Sequence, residues 1–173
     1  TEDIYLLLKN EDSSFVGAVQ KVESLKEKSA NVEDENLRAL IMSEIADMKV
    51  VMMFIAFHVA LMRNIKDVEK GELKQKESRE AGVLWAQIAH QLGLYKLKSE
   101  LEDLSLKYLE HDAYYHIKEK LNETKKSRDQ YVARFIGPIE QKLTEAGLKF
   151  HMKGRTKSIH SIWQKMKKQH VGV

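Results

Sequence analysis

Val50-Val51-Met52-Met53-Phe54-Ile55-Ala56-Phe57-His58-Val59-Ala60-Leu61-Met62 is an apolar run of thirteen residues interrupted only by His58. As a helix it rises about 20 Å, short of the roughly 30 Å of a bilayer's hydrocarbon core. Asp47, Lys49 and Arg63 bracket it closely. It therefore reads as a central helix buried on most sides, not as a membrane span. Working outward, the chain has 173 residues, one proline and eight glycines, so helix-breakers are few and long helices are the first expectation. With 32% charged and 43% hydrophobic residues it can bury a real core. Zero cysteines exclude a disulfide scaffold, a cysteine nucleophile and thiolate-bound zinc or iron–sulfur. Thr1-Glu2-Asp3 is acidic and the short Tyr5–Leu8 stretch runs into Lys9 and Asn10, unlike a signal peptide, so the chain reads as cytoplasmic.

On the N-terminal side of the run, Phe15, Val19, Val22 and Leu25 recur at helical steps, and a helix from near Asn31 carries Leu37, Leu40 and Ile41 toward a break near Asp47. On the C-terminal side, Lys66–Arg79 is charged and contains Gly71, and reads as a solvated loop or linker. Trp85, Ile88 and Leu92 share a helical face that Gly93 ends, and Leu97, Leu101, Leu104 and Tyr108 continue at steps of four, three and four. Asp112 is placed to cap a helix with Tyr114, Ile117 and Leu121 inside. Tyr131, Phe135, Ile139 and Leu143 mark another, with Gly137-Pro138 as a kink or restart.

The pattern changes at Gly147. Leu148, Phe150 and Met152 alternate with Lys149, His151 and Lys153, the period of a strand with one apolar face. Gly154 turns the chain, and Thr156 to Gln169 is helical again. The fold class expected is mainly α, a helical bundle followed by the first β–α unit of an α/β domain. Residues 146–173 carry seven Lys/Arg and no acid, leaving −4 on the preceding part, so the end of the chain is a separate electrostatic unit that faces an anion.

On a wheel of the last helix, Lys157, Ser161, Lys165 and Lys168 fall within about 80° of arc, with Ile159, Ile162 and Met166 opposite. Arg155 sits just ahead. A helix N-terminus already favours phosphate, and these cations and the hydroxyl add donors around it. The functional reading is a polyphosphate cradle; the plain alternative is a solvated basic face. No Walker sequence and no G-x-G-x-x-G occurs.

Gly154-Arg155-Thr156-Lys157-Ser158-Ile159-His160-Ser161-Ile162-Trp163-Gln164-Lys165-Met166 resembles the G-R-x-K-x-x-x-S-I-x-x-K-M opening of the synthetase domain in long RelA/SpoT-family stringent-response enzymes. Ile88-Ala89-His90-Gln91-Leu92-Gly93 and Lys98-Ser99-Glu100-Leu101-Glu102-Asp103-Leu104-Ser105 resemble that family's A-H-R-L-G and K-x-E-L-E-D-L-S segments. Glu35-Asn36-Leu37-Arg38, Asp47 and Val50-Val51 resemble the helix that leads into its L-A-D-R-L-H-N-M-R hydrolase motif. The likeness runs over nearly the whole chain in the family's order. It implies three segments: 1–80, the C-terminal part of a degenerate HD-type hydrolase domain; 81–146, a helical linker; and 147–173, the start of a synthetase domain.

The same resemblance implies a GTP pyrophosphokinase that moves pyrophosphate from ATP to the 3′-hydroxyl of GTP or GDP, with Mg²⁺. Arg155 would then stack on adenine, and Lys157, Ser161 and Lys165 would contact the triphosphate, forming part of an ATP donor site. The Mg²⁺-binding aspartate, the guanine-stacking tyrosine and the catalytic glutamate of the family would lie beyond Val173, so no catalytic residue is expected within these 173. Ribosome association of the full-length protein is implied as well, with no DNA or membrane partner.

One departure stands out. Where the hydrolase motif has its metal-binding aspartate this chain has Phe57, and Ala60 and Leu61 replace the motif's His and Asn. A phenyl ring cannot coordinate a hard cation, so no Mn²⁺ site and no hydrolase activity are expected. His111-Asp112 imitates the hydrolase hallmark at a place where the resemblance puts no ligand. His58 reads as a hydrogen-bonded core or rim histidine, Met48, Met52, Met53 and Met62 as core filler, and Trp85 and Trp163 as core anchors. The competing functional reading is a non-catalytic helical interaction module whose basic tail binds RNA or the ribosome surface.

Overall fold

The computed structural model describes residues 13–28, 34–44, 48–67, 71–152, 154 and 156–172. The chain divides into two compact units, Thr1–Leu109 and Glu110–Val173. That cut follows packing, whereas the boundaries at 80 and 146 follow motifs. Asp47 and Arg155 lie outside the described residues.

In the first unit, α1 spans Ser13–Lys28, α2 Asp34–Glu44 and α3 Met48–Asn64, followed by a 3₁₀ turn at Ile65–Asp67. Helix α4, Gly71–Glu80, runs into a π turn at Ala81–Trp85 and on into α5, Ala86–Gln91; α6 is Tyr95–Leu109. The core is made by Val19 and Val22 of α1, Leu37 and Ile41 of α2, the buried side of α3, Trp85 and Ile88, and Leu101 of α6. On α3 the buried positions Val50, Val51, Phe54, Ile55, His58, Val59 and Met62 cover half the circumference. Met52, Ala56 and Ala60 form an exposed strip, so burial stops short of the expected wrap. Of the methionines only Met62 is fully buried, while Met48 and Met52 are exposed.

The stretch expected as a solvated loop is largely α4, a helix from Gly71 that packs on α6 and buries Ser78. Its sequence is almost wholly polar, so the apolar periodicity that reveals a helix is missing. The helix rests instead on continuity with the apolar π turn. Gly93, with φ of 74°, ends α5 as expected. The Gly93 N–H reaches the His90 carbonyl at 3.0 Å and the Leu94 N–H reaches Ala89 at 2.8 Å, the paired bonds of a Schellman stop.

Gly82 sits on the inner side of the π turn, where an added Cβ would collide with the Ser105 hydroxyl and come within 2.9 Å of the Ser105 Cβ. Gly82→Ala is therefore expected to cost about 1–3 kcal/mol through overpacking. Urea unfolding measures it, and Gly82→Ala/Ser105→Gly should recover part of the loss. A Gly82→Ala protein as stable as the parent would show that α6 moves aside freely.

In the second unit, α7 spans His111–Glu123, α8 Lys125–Glu145 and α9 Ile159–Gln169. Ile117 of α7 is its buried centre, and α9 packs against α7. Asp112 is not the cap: Glu110 occupies that place without a side-chain bond, and Asp112 lies in the first turn. Its charge still suits the N-terminal dipole. Helix α8 runs through Pro138 without restarting, because a proline removes only one of the ladder bonds in a 21-residue helix. Gly147, with φ of 69°, closes α8 by a second Schellman stop, with the Leu148 N–H 3.1 Å from the Leu143 carbonyl.

Residues 148–152 form no ladder with the described residues, and Leu148 and Phe150 stand exposed. The helix expected after them is α9. Among the described residues the fold is helical, and no helix is long and apolar enough to cross a membrane.

Candidate functional site

A polar cluster at the edge of the first unit's core joins buried His58 to the partly buried Lys26 and Glu80. Oε1 of Glu80, the last residue of α4, accepts from the Lys26 ammonium at 2.6 Å, from the Trp85 indole N–H at 2.8 Å and faces His58 Nε2 at 3.2 Å. His58 Nδ1 donates to the Phe54 carbonyl at 2.8 Å. Each ring nitrogen thus faces an oxygen of the protein, Nδ1 the Phe54 carbonyl and Nε2 the Glu80 carboxylate. The side chains of His58 and Glu80 are 2% and 15% exposed.

Each group is placed by its element. His58 falls on the buried side of α3, and Lys26 reaches in from α1 across the Phe54 ring, its ammonium 6.0 Å from the centroid. Glu80 and Trp85 are five residues apart, about 140° around an α-helix and so on different sides. The wider π turn brings positions five apart into register, which puts the indole N–H over the carboxylate. Burial by itself would raise the Glu80 carboxyl. The hydrogen bond from His58 and the charge of Lys26 outweigh it and hold the group down at about 2.

His58 is thus the bonded core histidine expected, but the sequence reading missed Glu80 and Lys26. The signals available were Trp85, whose N–H must find a partner when buried, and the acid directly before the apolar stretch 81–86.

His58, Glu77 and Glu80 offer ligand atoms within 4.8 Å of one another, a spacing that could hold a metal ion. One of the two Glu80 oxygens is already in use. The position in front of Glu80 Oε1 is taken by an ammonium at 2.6 Å and an indole N–H at 2.8 Å. Phe57, where the resemblance leads one to expect an aspartate, has its ring packed edge-on to His58 at 5.3 Å. His111 and Asp112 touch each other at 3.3 Å on the open surface of α7.

The second feature is the start of α9. The helix begins at Ile159, not Thr156, because Ser158 caps it: backbone φ −62° and ψ 157°, with its hydroxyl accepting from the Ser161 N–H at 3.3 Å. Lys157 therefore precedes the helix, and the wheel applies only from Ile159 onward. Ser161 Oγ lies 2.9 Å from Ser158 Oγ, so this hydroxyl is already engaged with the cap.

Lys157 and Lys165 are exposed, and neither is in an ion pair among the described residues. Ile159, Ile162 and Met166 are half-buried, as an inward face should be. Trp163 is half-buried rather than a core anchor, with the Lys167 ammonium 4.6 Å over its ring. Residues 146–173 contain no acid, so this segment offers cations and hydroxyls but no carboxylate for Mg²⁺.

The HD domain family model matches residues 10–95, which include α1 to α5 and the buried ionic cluster. The chain is 28% identical over 153 residues to a GTP pyrophosphokinase of Photobacterium angustum, covering 88% of this chain and 20% of that protein. It is 30% identical over 172 residues to a GTP pyrophosphokinase of Myxococcus xanthus, covering 97% of this chain and 23% of that protein. It is 28% identical over 166 residues to the bifunctional (p)ppGpp synthase/hydrolase SpoT of Escherichia coli, covering 95% of this chain and 24% of that protein. The chain thus spans about a fifth to a quarter of the length of the curated relatives it matches. An HD-type helical core, the ordered motifs from Glu35 to Met166 and likeness along most of its length place this chain in the RelA/SpoT family.

Proposed function

We propose that this chain belongs to a GTP pyrophosphokinase that makes (p)ppGpp, and that it joins a hydrolase-like half without hydrolase activity to the opening of the synthetase half. The reaction passes the terminal pyrophosphoryl group of ATP to the 3′-hydroxyl of GTP or GDP. The 3′-oxygen bonds to the β-phosphorus, the bond from that phosphorus to the α–β bridging oxygen breaks, and AMP leaves. Such a transfer depends on holding the donor in line and offsetting its charge. The contribution of this chain is the donor side. Arg155 covers the base, Lys157 and Lys165 meet the triphosphate, and the capped N-terminus of α9 adds its partial positive charge. Magnesium would neutralise phosphate charge when bound; none of these residues is assigned to it, and the acceptor nucleotide is assigned to no residue here. The loss of hydrolysis is supported by Phe57 and by the ammonium within the buried cluster.

The observation that carries the donor-site reading is the pair of exposed lysines, Lys157 just before α9 and Lys165 within it, unpaired with carboxylates among the described residues. Calorimetric titration of Mg-ATP into the protein that contains this chain is the test. Charge-assisted contacts of about 1.5–3 kcal/mol predict that Arg155→Ala and Lys165→Ala each weaken ATP by about 10–100-fold. Helix content should not change. Unaltered ATP affinity in both variants would overturn the reading. So would tight binding of a short RNA without nucleotide preference, falling steeply with salt.

A further inference from the structure

The HD-type core gathers one imidazole and two carboxylates, a set that suits a divalent ion, and delivers a lysine to the same place. Lys26 is not a surface cation that happens to lie nearby: its side chain is 20% exposed and its ammonium lies 6.0 Å over the Phe54 ring. Glu23, 3.9 Å away one turn earlier on α1, helps to hold it. The Glu80 oxygen it meets is also bonded by Trp85 and faced by His58, three nitrogen groups on one oxygen. A divalent ion could bond that oxygen only after the ammonium had left for solvent and the indole N–H had lost its acceptor.

We propose that Lys26 is the resident cation of this unit, its ammonium filling the coordination space of His58, Glu77 and Glu80 and closing it to divalent metals. The helical half then keeps its core charge-balanced without a metal, and metal supply does not govern its folding. The inference concerns the chain's own core and stands whether or not α9 binds ATP.

Lys26→Met tests it, because methionine keeps the unbranched stem and removes the charge. What remains is one imidazole nitrogen and two carboxylates, a ligand set that zinc accepts. Zinc titration is followed by calorimetry and by melting after dialysis against a chelator. The parent protein is expected to melt at the same temperature with chelator and with zinc. Lys26→Met should take up one zinc per chain at least tenfold more tightly than the parent and gain several degrees on binding. Lys26→Met/Glu80→Gln should lose that gain. Two results would overturn the proposal: a stoichiometric zinc or manganese in the parent that Glu80→Gln removes, or no added zinc affinity in a folded Lys26→Met. Should Lys26→Met fail to fold, Lys26→Gln serves in its place, and the titration of the parent decides the matter independently.

Discussion

Glu80→Ala is expected to destabilise the first unit by about 3–5 kcal/mol, because removing one partner of a buried ion pair leaves the other uncompensated. Here the Lys26 ammonium loses its counterion at 2.6 Å, and His58 Nε2 loses the oxygen it faces at 3.2 Å. The Trp85 N–H loses its acceptor as well. Glu80→Gln keeps the shape and one acceptor oxygen and should cost less, about 1–3 kcal/mol. Urea unfolding measures both. The order of the two variants matters more than either value, since a surface pair would give less than about 1 kcal/mol for each.

The same carboxylate sets a pH window. An unfolded glutamate titrates near 4.5, and folded Glu80 at about 2, so between those values the unfolded chain binds the extra proton. Stability from this group is fully present above about 4.5 and is lost as pH falls through about 2; the shift corresponds to about 3 kcal/mol. Glu44 is also lowered, by its hydrogen bond and charge contact with Lys21 on the open surface. The readout is therefore the difference between parent and Glu80→Gln, which should shrink as the pH drops from 5 toward 2. A difference that stays constant over that range would place the Glu80 effect outside its charge.

What the sequence makes legible follows from periodicity. The buried face of α3, the α1 positions Val19 and Val22, and the glycine stops at Gly93 and Gly147 all announce themselves, because each rests on spacing within a single segment. Helix α4 is hidden because its own residues are polar and its stability is borrowed from the π turn that follows it. The ionic cluster is hidden for a different reason. Lys26, His58 and Glu80 come from three helices separated by more than 20 residues at each step, and each alone looks like an ordinary surface or rim residue. At α9 the basic composition is plain in the sequence, but the single residue that starts the helix is not. Ser158 takes the cap, so the helix opens two residues after Lys157.

Trp85→Ala is the second large expected effect, about 3–5 kcal/mol, since a fully buried indole is replaced by a cavity. The ring stacks on Phe54 at 5.2 Å with 3° between planes and on His58 at 4.8 Å, so its removal also frees the histidine that faces Glu80. Trp85→Phe keeps most of this packing and deletes only the N–H, and should cost about 1–2 kcal/mol. That smaller number is the more telling one. If the π turn serves to bring Trp85 over Glu80, Trp85→Phe and Glu80→Gln act on one bond, and the double variant should be less costly than the two single losses added together. Chemical denaturation of the four proteins gives that coupling, with about 1 kcal/mol expected for a single shared hydrogen bond. Strict additivity would mean that the wide turn is there for another reason, namely to fit Gly82 against Ser105 of α6.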